Sequence, residues 1–526
     1  MFARTMKSVI RAHAPFVAAV IATFALLLVL VGKPIPIVVW DEGRIIVSAM
    51  EMRHSGIGLA ATYDYHQDVW NTKPPLLIWL MTGSMAVLGP TEFALRLPSL
   101  ISSLGTVLLV MLFLRRITRS VAIAAIGGVS LAASIGFFGE HGARTGDYDA
   151  LLCFFTTSYL MLLFFALHRQ KPPRHWLWLA GLLGAGAMMT KAVAGGVPLI
   201  GLLLYVLVTR RWRRPFVTPH YLVAALVGLA PVLLFLVLRE AVAPGYLNAM
   251  IHNDVSSRFS QGGDNHSGPL WFYLDDIFVR GLFSLGPSAL LAPLALPIAR
   301  GRAKLALIFA LCIALGQLIV VAISTTKLTH YYLSAYPFVA IADALALQAV
   351  LVRLRSFVAA RSLSPSLFWI ARHTPALLLA IGIAHALEVR ASVLAPREHY
   401  PRARYGALLD ALEGEKAPIL LIESGWQISD DPHYAPELRF YTMVAREKGR
   451  RVEQTGDASR IASAPSGTIV ATCDPSFTPL LQGDEADILL ERDGCVARRQ
   501  GIVVPTAAPL STLPNGGQAR VAKRGL

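Results

Sequence analysis

Apolar runs long enough to cross a bilayer recur along most of this chain. They lie near 14–31, 96–114, 120–138, 149–167, 176–190, 193–208, 221–238, 278–298, 305–323, 331–350 and 366–388. About 20 helical residues span a hydrocarbon core, where every backbone N–H and C=O must find a partner within the protein. A chain that is 55% hydrophobic and built this way cannot be one soluble globule. It reads as a polytopic α-helical membrane protein with about 11–13 transmembrane helices.

The loops between these runs decide the topology. Leu76–Leu88 is also apolar, but it is short and follows two prolines. If it does not cross, several basic groups fall on the side of the N-terminus: Arg115, Arg116 and Arg119; Arg169, Lys171 and Arg174; Arg210, Arg211, Arg213 and Arg214; Arg300, Arg302 and Lys304; Arg353, Arg355 and Arg361. Acid-free basic loops on one side are the positive-inside pattern, so that side reads as cytoplasmic and Leu76–Leu88 as a juxtamembrane or re-entrant helix. The net charge of +15 is distributed in this way rather than as a binding stripe, which argues against nucleic acid as a partner. The loops 33–95, 140–148 and 240–277, the hairpin tip at Lys191 and the turn Thr325–Tyr332 then share the outer face.

At the N-terminus, Arg4, Lys7 and Arg11 precede an apolar core too long for a cleaved signal peptide, and the segment reads as an uncleaved signal anchor. After about residue 390 the composition changes. Pro418–Glu423 and Gly467–Thr472 read as buried strands, and Ala407–Leu412 and Glu437–Glu447 as helices, of a small extracytoplasmic α/β domain over 391–500. Cys473 and Cys495 fall in that domain and could pair in an oxidising compartment, whereas Cys153 and Cys312 sit in apolar runs as packing residues. Residues 501–526 read as a flexible basic tail.

Charge at the membrane rim marks the candidate site. Trp40-Asp41-Glu42-Gly43 follows the first apolar run, and Asn71-Thr72-Lys73-Pro74-Pro75 precedes Leu76–Leu88. Ionisable groups so close to hydrocarbon are costly unless paired or hydrated, which makes them functional candidates; taken singly, each is equally well an ordinary interfacial charge. Within the spans, Asp343 reads as a buried acid bonded to a neighbouring helix, and Gly181, Gly184, Gly186, Gly195 and Gly196 as sites of close helix packing.

Taken together, Asp41-Glu42, Lys73-Pro74-Pro75-Leu76, Arg96-Leu97-Pro98-Ser99, Arg144 to Asp149 followed by Ala-Leu-Leu, Thr190-Lys191, Arg258-Phe259, His266-Ser267-Gly268-Pro269 and Lys327-Leu328-Thr329-His330-Tyr331 form an ordered set on one face. The set resembles the polyprenyl-phosphate-sugar-dependent glycosyltransferases of the GT-C class. The similarity is strongest to the bacterial branch of aminoarabinose transferases and protein-mannosyltransferase-like enzymes, and it runs across most of residues 14–390.

The resemblance implies an inverting enzyme of the bacterial inner membrane. It would move a sugar of aminoarabinose, galacturonic acid or mannose type from a polyprenyl phosphate to lipid A or lipopolysaccharide core at the periplasmic face. As negative charge builds on the departing phosphate, fixed cations lower the barrier. Lys73 is the first candidate for that role and Arg258 the second, with Lys327, His330, Tyr331 and Tyr332 completing the cradle; Arg258 and Lys327 read equally as snorkelling interfacial bases. Asp41 is the candidate base for an acceptor hydroxyl, or an orienting group where the acceptor is already a phosphate. Glu42 is a second carboxylate or a first-turn helix acid, and Asp149, with Asp147 as substitute, is the acid of the second outer loop. Members of the group often hold a divalent metal near this site, some with an acidic residue beside the lysine where this chain has Thr72; His252, His266 and Glu42 are the remaining ligand candidates for a divalent metal, and no cofactor is assigned. The rival readings are a transporter or flippase for a lipid-linked sugar, which repeat symmetry would favour, and a protein O-mannosyltransferase.

Overall fold

The computed structural model describes residues 2–32, 35–37, 40–68, 71–211, 219–260, 266–279, 283–360, 365–391, 404–425, 434–481 and 487–501. Arg213, Arg214, Arg361 and the basic tail lie outside these. The chain divides into two compact units, one of residues 1–406 with 436–444 and one of residues 407–435 with 445–526.

The first unit is helical. Among its described residues, seven helices are long and apolar enough to cross a membrane, and the apolar helices Leu76–Leu88, Val121–Ala132, Leu199–Val208 and His373–Val389 are shorter. In chain order it opens with α1 (Phe2–Val31), α2 (Trp40–Ser55), the hairpin β1 (Thr62–Tyr63) and β2 (His66–Gln67), α3 (Leu76–Leu88) and α4 (Glu92–Thr118). There follow α5 (Val121–Ala132), α6 (Ile135–Phe138), α7 (Tyr148–Leu167), α8 (Arg174–Lys191) and α9 (Leu199–Val208). The later long helices are Pro219–Val242, Gly301–Ile323, Tyr336–Ala360 and Pro365–Val389.

Local chemistry sets the ends. α4 starts where Thr91 Oγ1 accepts the Ala94 N–H at 3.2 Å with Glu92 in the first turn, and its last turn carries Arg115 and Arg116. Acid at the start and base at the end both suit the helix dipole. α3 has 13 residues, a rise of about 20 Å, which falls short of a hydrocarbon core of about 30 Å. The expected span at 278–298 is instead a chain of short pieces, Leu274–Val279, Gly286–Leu290 and Ala292–Ala295, in a sequence carrying Pro287, Pro293 and Pro297. Proline removes a helix hydrogen bond and clashes with the preceding turn, so apolar length alone overstates helix length here.

Lipid-facing helices gain little from burial as such, and their contacts rest on close approach and dispersion. A Cβ on Gly181 of α8 would sit 2.3 Å from the Ala224 carbonyl oxygen of Pro219–Val242, so that crossing requires glycine, whereas Gly184 faces open space and needs none. At the centre, Phe164 of α7 stacks at 5.2 Å on Phe113 of α4 and at 4.8 Å on Phe309. Asp343 accepts from Ser288 Oγ at 3.0 Å, the partner expected for a buried acid. The segment 436–444 belongs to this unit. Its Tyr441 hydroxyl accepts the Ile37 N–H at 2.9 Å and bonds Glu92 at 3.1 Å, and its Arg439 pairs with Asp64.

The second unit is a five-stranded mixed sheet of order β4-β3-β5-β7-β6, in which β3 (Ile419–Ile422), β4 (Val452–Thr455) and β5 (Ile469–Thr472) are parallel. β7 (Cys495–Arg499) runs antiparallel to β5 and to β6 (Ile488–Arg492). Both β3 and β5 are buried along their length, as parallel strands covered on both faces are. Cys473, just after β5, is disulfide-bonded to Cys495.

Candidate active site

The site grows from the entry of α2 and the loop before α7. Glu42 is fully buried, and Arg96 of α4 grips both of its oxygens, Nε to Oε1 at 2.6 Å and Nη2 to Oε2 at 2.7 Å. The Gly146 N–H donates to Glu42 Oε1 at 2.7 Å. The same guanidinium also bonds the Ile35 carbonyl. One carboxylate thus ties α2, α4 and the second outer loop together. Glu42 is therefore structural in its contacts, a correction to its candidacy as catalytic acid or metal ligand, because it is fully buried and both of its oxygens bond the scaffold.

Asp41, one residue earlier, is half-buried, with Asp147, His141, Lys191 and Lys73 near enough to act on its charge. Burial is the main influence raising its carboxyl above the usual range; nearby Asp147 raises it further, while His141, Lys191 and Lys73 pull it back. Asp147 caps α7, accepting the Tyr148 N–H at 2.7 Å, and its other oxygen pairs with His141 Nδ1. Burial alone would lower the His141 pKa, but Asp147 outweighs it and lifts the imidazole to about 9; burial would raise Asp147, but the same imidazole holds that carboxyl low. His141 sits at φ 60°, a left-handed conformation costly for a residue with a Cβ, and the fold retains it where the ring meets Asp147.

Asp149 accepts from Lys191 Nζ with both oxygens at 2.7 Å. α8 stops at that lysine because Ala192 turns to φ 40°. Tyr331 lies between two cations, with Lys191 Nζ 5.5 Å and Arg258 Cζ 5.7 Å from its ring centre. His330 stacks on His141 at 3.9 Å. Lys73 meets Asp254, Nζ to Oδ1 at 2.7 Å, and Thr72 Oγ1 donates to the other oxygen at 2.7 Å. Residues from the first outer loop, the second, the α8 tip, the long loop and the Thr329–Ala335 turn thus converge, with Asp41, Asp147, Asp149, Lys73, Arg258, His330 and Tyr331 among them.

Two expected members stand elsewhere. The Lys327 ammonium donates to the carbonyls of Val321 at 3.2 Å, Ala322 at 2.5 Å and Ser324. It caps the C-terminus of Gly301–Ile323, where a cation is favoured, and its three donors are spent there rather than on a phosphate. Tyr332 is buried at 1% exposure, its hydroxyl bonded to the Ala314 carbonyl at 3.0 Å, so it is a core residue. Sequence reasoning missed His141 and Asp254. Both are titratable residues in outer loops, and what singles them out is contact with residues distant in sequence.

The metal question turns on the same groups. His252 and His266 are exposed and Glu42 is spoken for. Among the described residues the clusters of ligand type are His141, Asp149 and His330, and Asp41, His141 and Asp147. Their donors are of the right kind, but Lys191 already holds both oxygens of Asp149, and Tyr148 and His141 hold those of Asp147. Beside Lys73, Asp254 is likewise committed on both oxygens. Each of these oxygens keeps a second lone pair and the ligand atoms of each cluster lie within 4.8 Å of one another, so the two clusters are of a kind that would hold a divalent ion in competition with these bonds.

The fold is that of polytopic membrane proteins of the GT-C class, in line with the resemblance read from the motifs. The family described as dolichyl-phosphate-mannose-protein mannosyltransferase matches residues 72–237. The undecaprenyl phosphate-alpha-4-amino-4-deoxy-L-arabinose arabinosyl transferase 2 of Proteus mirabilis is 29% identical over 270 residues, 50% of this chain and 47% of that one. The chain thus spans about half the length of the curated relatives it matches. The crystal structure of ArnT from Cupriavidus metallidurans bound to undecaprenyl phosphate superposes with a TM-score of 0.63 over 92% of this chain and 97% of that one, at 19% identity. The archaeal oligosaccharyltransferase AglB from Archaeoglobus fulgidus follows at a TM-score of 0.50, 13% identity, over 83% of this chain and 64% of that one.

Proposed function

We propose that this chain is an inverting glycosyltransferase of the bacterial inner membrane that takes a sugar from a polyprenyl phosphate and delivers it to lipid A or lipopolysaccharide core at the periplasmic face. The observation that supports this reading is the electrostatic proximity of Asp41 to the cations Lys73, Lys191 and His141. In the reaction the acceptor oxygen bonds to the anomeric carbon, the bond from that carbon to the phosphate oxygen breaks, and the electron pair leaves on the phosphate. Lys73 and Arg258 stand where that charge can be met, and cations fixed in advance stabilise the transition state without reorganising. Asp41 takes the acceptor proton. Its raised carboxyl makes it a better base than a solvated aspartate while the neighbouring cations favour its ionised form. Asp149, locked to Lys191, holds that lysine beside Tyr331.

The periplasmic orientation is supported by the acid-free basic loops on the opposite side. The donor class is supported by the relatives' names, which specify an undecaprenyl phosphate-linked aminoarabinose. The clustering of polar groups at one end of the helices disfavours a transporter, which needs its site reachable from both sides. The test is transfer by purified protein from radiolabelled polyprenyl-phosphate sugars, followed by mass spectrometry of lipid A and core oligosaccharide from cells with and without the gene. Release of polyprenyl monophosphate, abolished by Asp41→Asn in a folded protein, is the expected result. Release of a diphosphate carrier, or full activity of Asp41→Asn, refutes the assignment, and label on protein in place of glycolipid moves the acceptor to a serine or threonine hydroxyl.

A further inference from the structure

The second unit holds a groove of about 700 Å³ where β3, β4 and β5 begin. Four arginines line it, Arg446, Arg450, Arg451 and Arg460, and the single acid among its lining residues is Glu453. Cations brought this close repel one another, and an ordinary solvated face would let them swing apart. Here three of the four are held in place. Arg446 Nε donates to the Val452 carbonyl at 2.8 Å, which leaves both of its Nη groups for other partners. Arg450 bonds the Leu409 and Leu412 carbonyls at 2.7 and 2.9 Å through its two Nη groups, so it contributes charge rather than a direct fork, and Arg460 is held by Glu453 at 2.7 Å. Arg451 carries its charge on the residue just before β4, where its own carbonyl accepts the Ile419 N–H at 2.8 Å. Fixing guanidinium groups in advance removes much of the ordering entropy of binding, and their planar forks match phosphate oxygens.

We propose that this groove binds a phosphate-bearing saccharide, either free or as the headgroup of a glycolipid. Charge selects the phosphate. Size and the Ser463 and Ser466 hydroxyls select the sugar, since about 700 Å³ lies within the range of small-molecule pockets, about 300–1,000 Å³. An inorganic anion alone would leave most of this space unfilled. The site is separate in sequence from every residue assigned to transfer, and it stands whether or not the proposed reaction is right.

Binding is measured by calorimetry on the full chain in nanodiscs of zwitterionic lipid. A Lys73→Ala background removes the candidate active-site cation from the signal. The probes are glucosamine 1-phosphate, glucosamine, inorganic phosphate, and nanodiscs doped with a phosphorylated glycolipid. Glucosamine 1-phosphate is expected to bind with one site per chain, more tightly than phosphate or glucosamine, and more weakly as salt rises. Arg451→Ser with Arg460→Ser is expected to weaken it by about tenfold or more, the loss of charge-assisted contacts. Glu453→Gln removes the single acid among the lining residues, frees the Arg460 guanidinium from its partner, and is expected to tighten binding. If the double variant fails to fold, the Glu453→Gln shift decides alone. Binding of the doped nanodisc in preference to the soluble sugar phosphate assigns the ligand as a headgroup, and the reverse assigns a free sugar phosphate. No binding of either, equal binding of glucosamine, equal binding of inorganic phosphate, or indifference to both variants overturns the proposal.

Discussion

Arg96→Met removes the guanidinium that joins three segments of the site. In the native protein Arg96 makes two bonds to Glu42, at 2.6 and 2.7 Å, and further bonds to the carbonyls of Ile35 and Pro36. The substitution strands a fully buried carboxylate that keeps the Gly146 N–H as a donor. Removing one partner of a buried ion pair costs about 3–5 kcal/mol, because the other charge stays behind uncompensated. Replacing both partners, Arg96→Met with Glu42→Gln, leaves no orphan charge and should cost less than Arg96→Met alone. Stability is read from SDS titration of the detergent-solubilised protein and transfer from the labelled-donor assay. Arg96→Met should lose most of both, and the double variant should regain stability while transfer stays low, since Gly146 and α2 are no longer tied by a charge. A cost below about 1 kcal/mol for Arg96→Met, or a double variant as damaged as the sum of the singles, would refute the reasoning that this pair is buried and coupled.

Three further outcomes follow from the same contacts. The His141 pKa, raised from 6.5 to about 9, contributes stability that is complete below 6.5 and is lost as pH rises through about 9; the shift is worth at most about 3 kcal/mol, and His141→Ala should flatten that alkaline limb of the stability profile. Tyr332→Phe should leave donor KM and kcat unchanged and cost about 1 kcal/mol in stability, since its hydroxyl bonds only the Ala314 carbonyl in the core, whereas a rise in donor KM would return Tyr332 to the phosphate cradle. Changing both Cys473 and Cys495 to serine opens a loop of sequence separation 22 and should destabilise the second unit by about 3 kcal/mol in chemical denaturation, and an unchanged midpoint would show that the bridge contributes nothing.

Much of the architecture was legible along the chain because membrane insertion reads one-dimensional properties. Apolar length, the charge of short loops and the mere thirteen residues of Leu76–Leu88 are all visible without knowing what touches what. β3 and β5 were legible for a similar reason: a strand buried on both faces is an unbroken apolar run. The failures share one cause. The 278–298 stretch has the right composition but its prolines break it, and Lys327 has the right charge but spends it on backbone carbonyls a few residues back.

The sequence by itself determined that this is a many-helix membrane protein with its acids and spare bases gathered in a few loops. Which of those charges face each other was decided only by the tertiary structure. Asp41 and Glu42 are neighbours with the same chemistry, yet one lies half-buried among Asp147, His141, Lys191 and Lys73 and the other is sealed by Arg96, 54 residues away in sequence. Asp254 and Lys73 pair across 181 residues, and His141 becomes important only because Asp147 and His330 close around it. A carboxylate's role depends on its partners within a few ångströms, and those partners are set by how helices pack, not by their order in the chain.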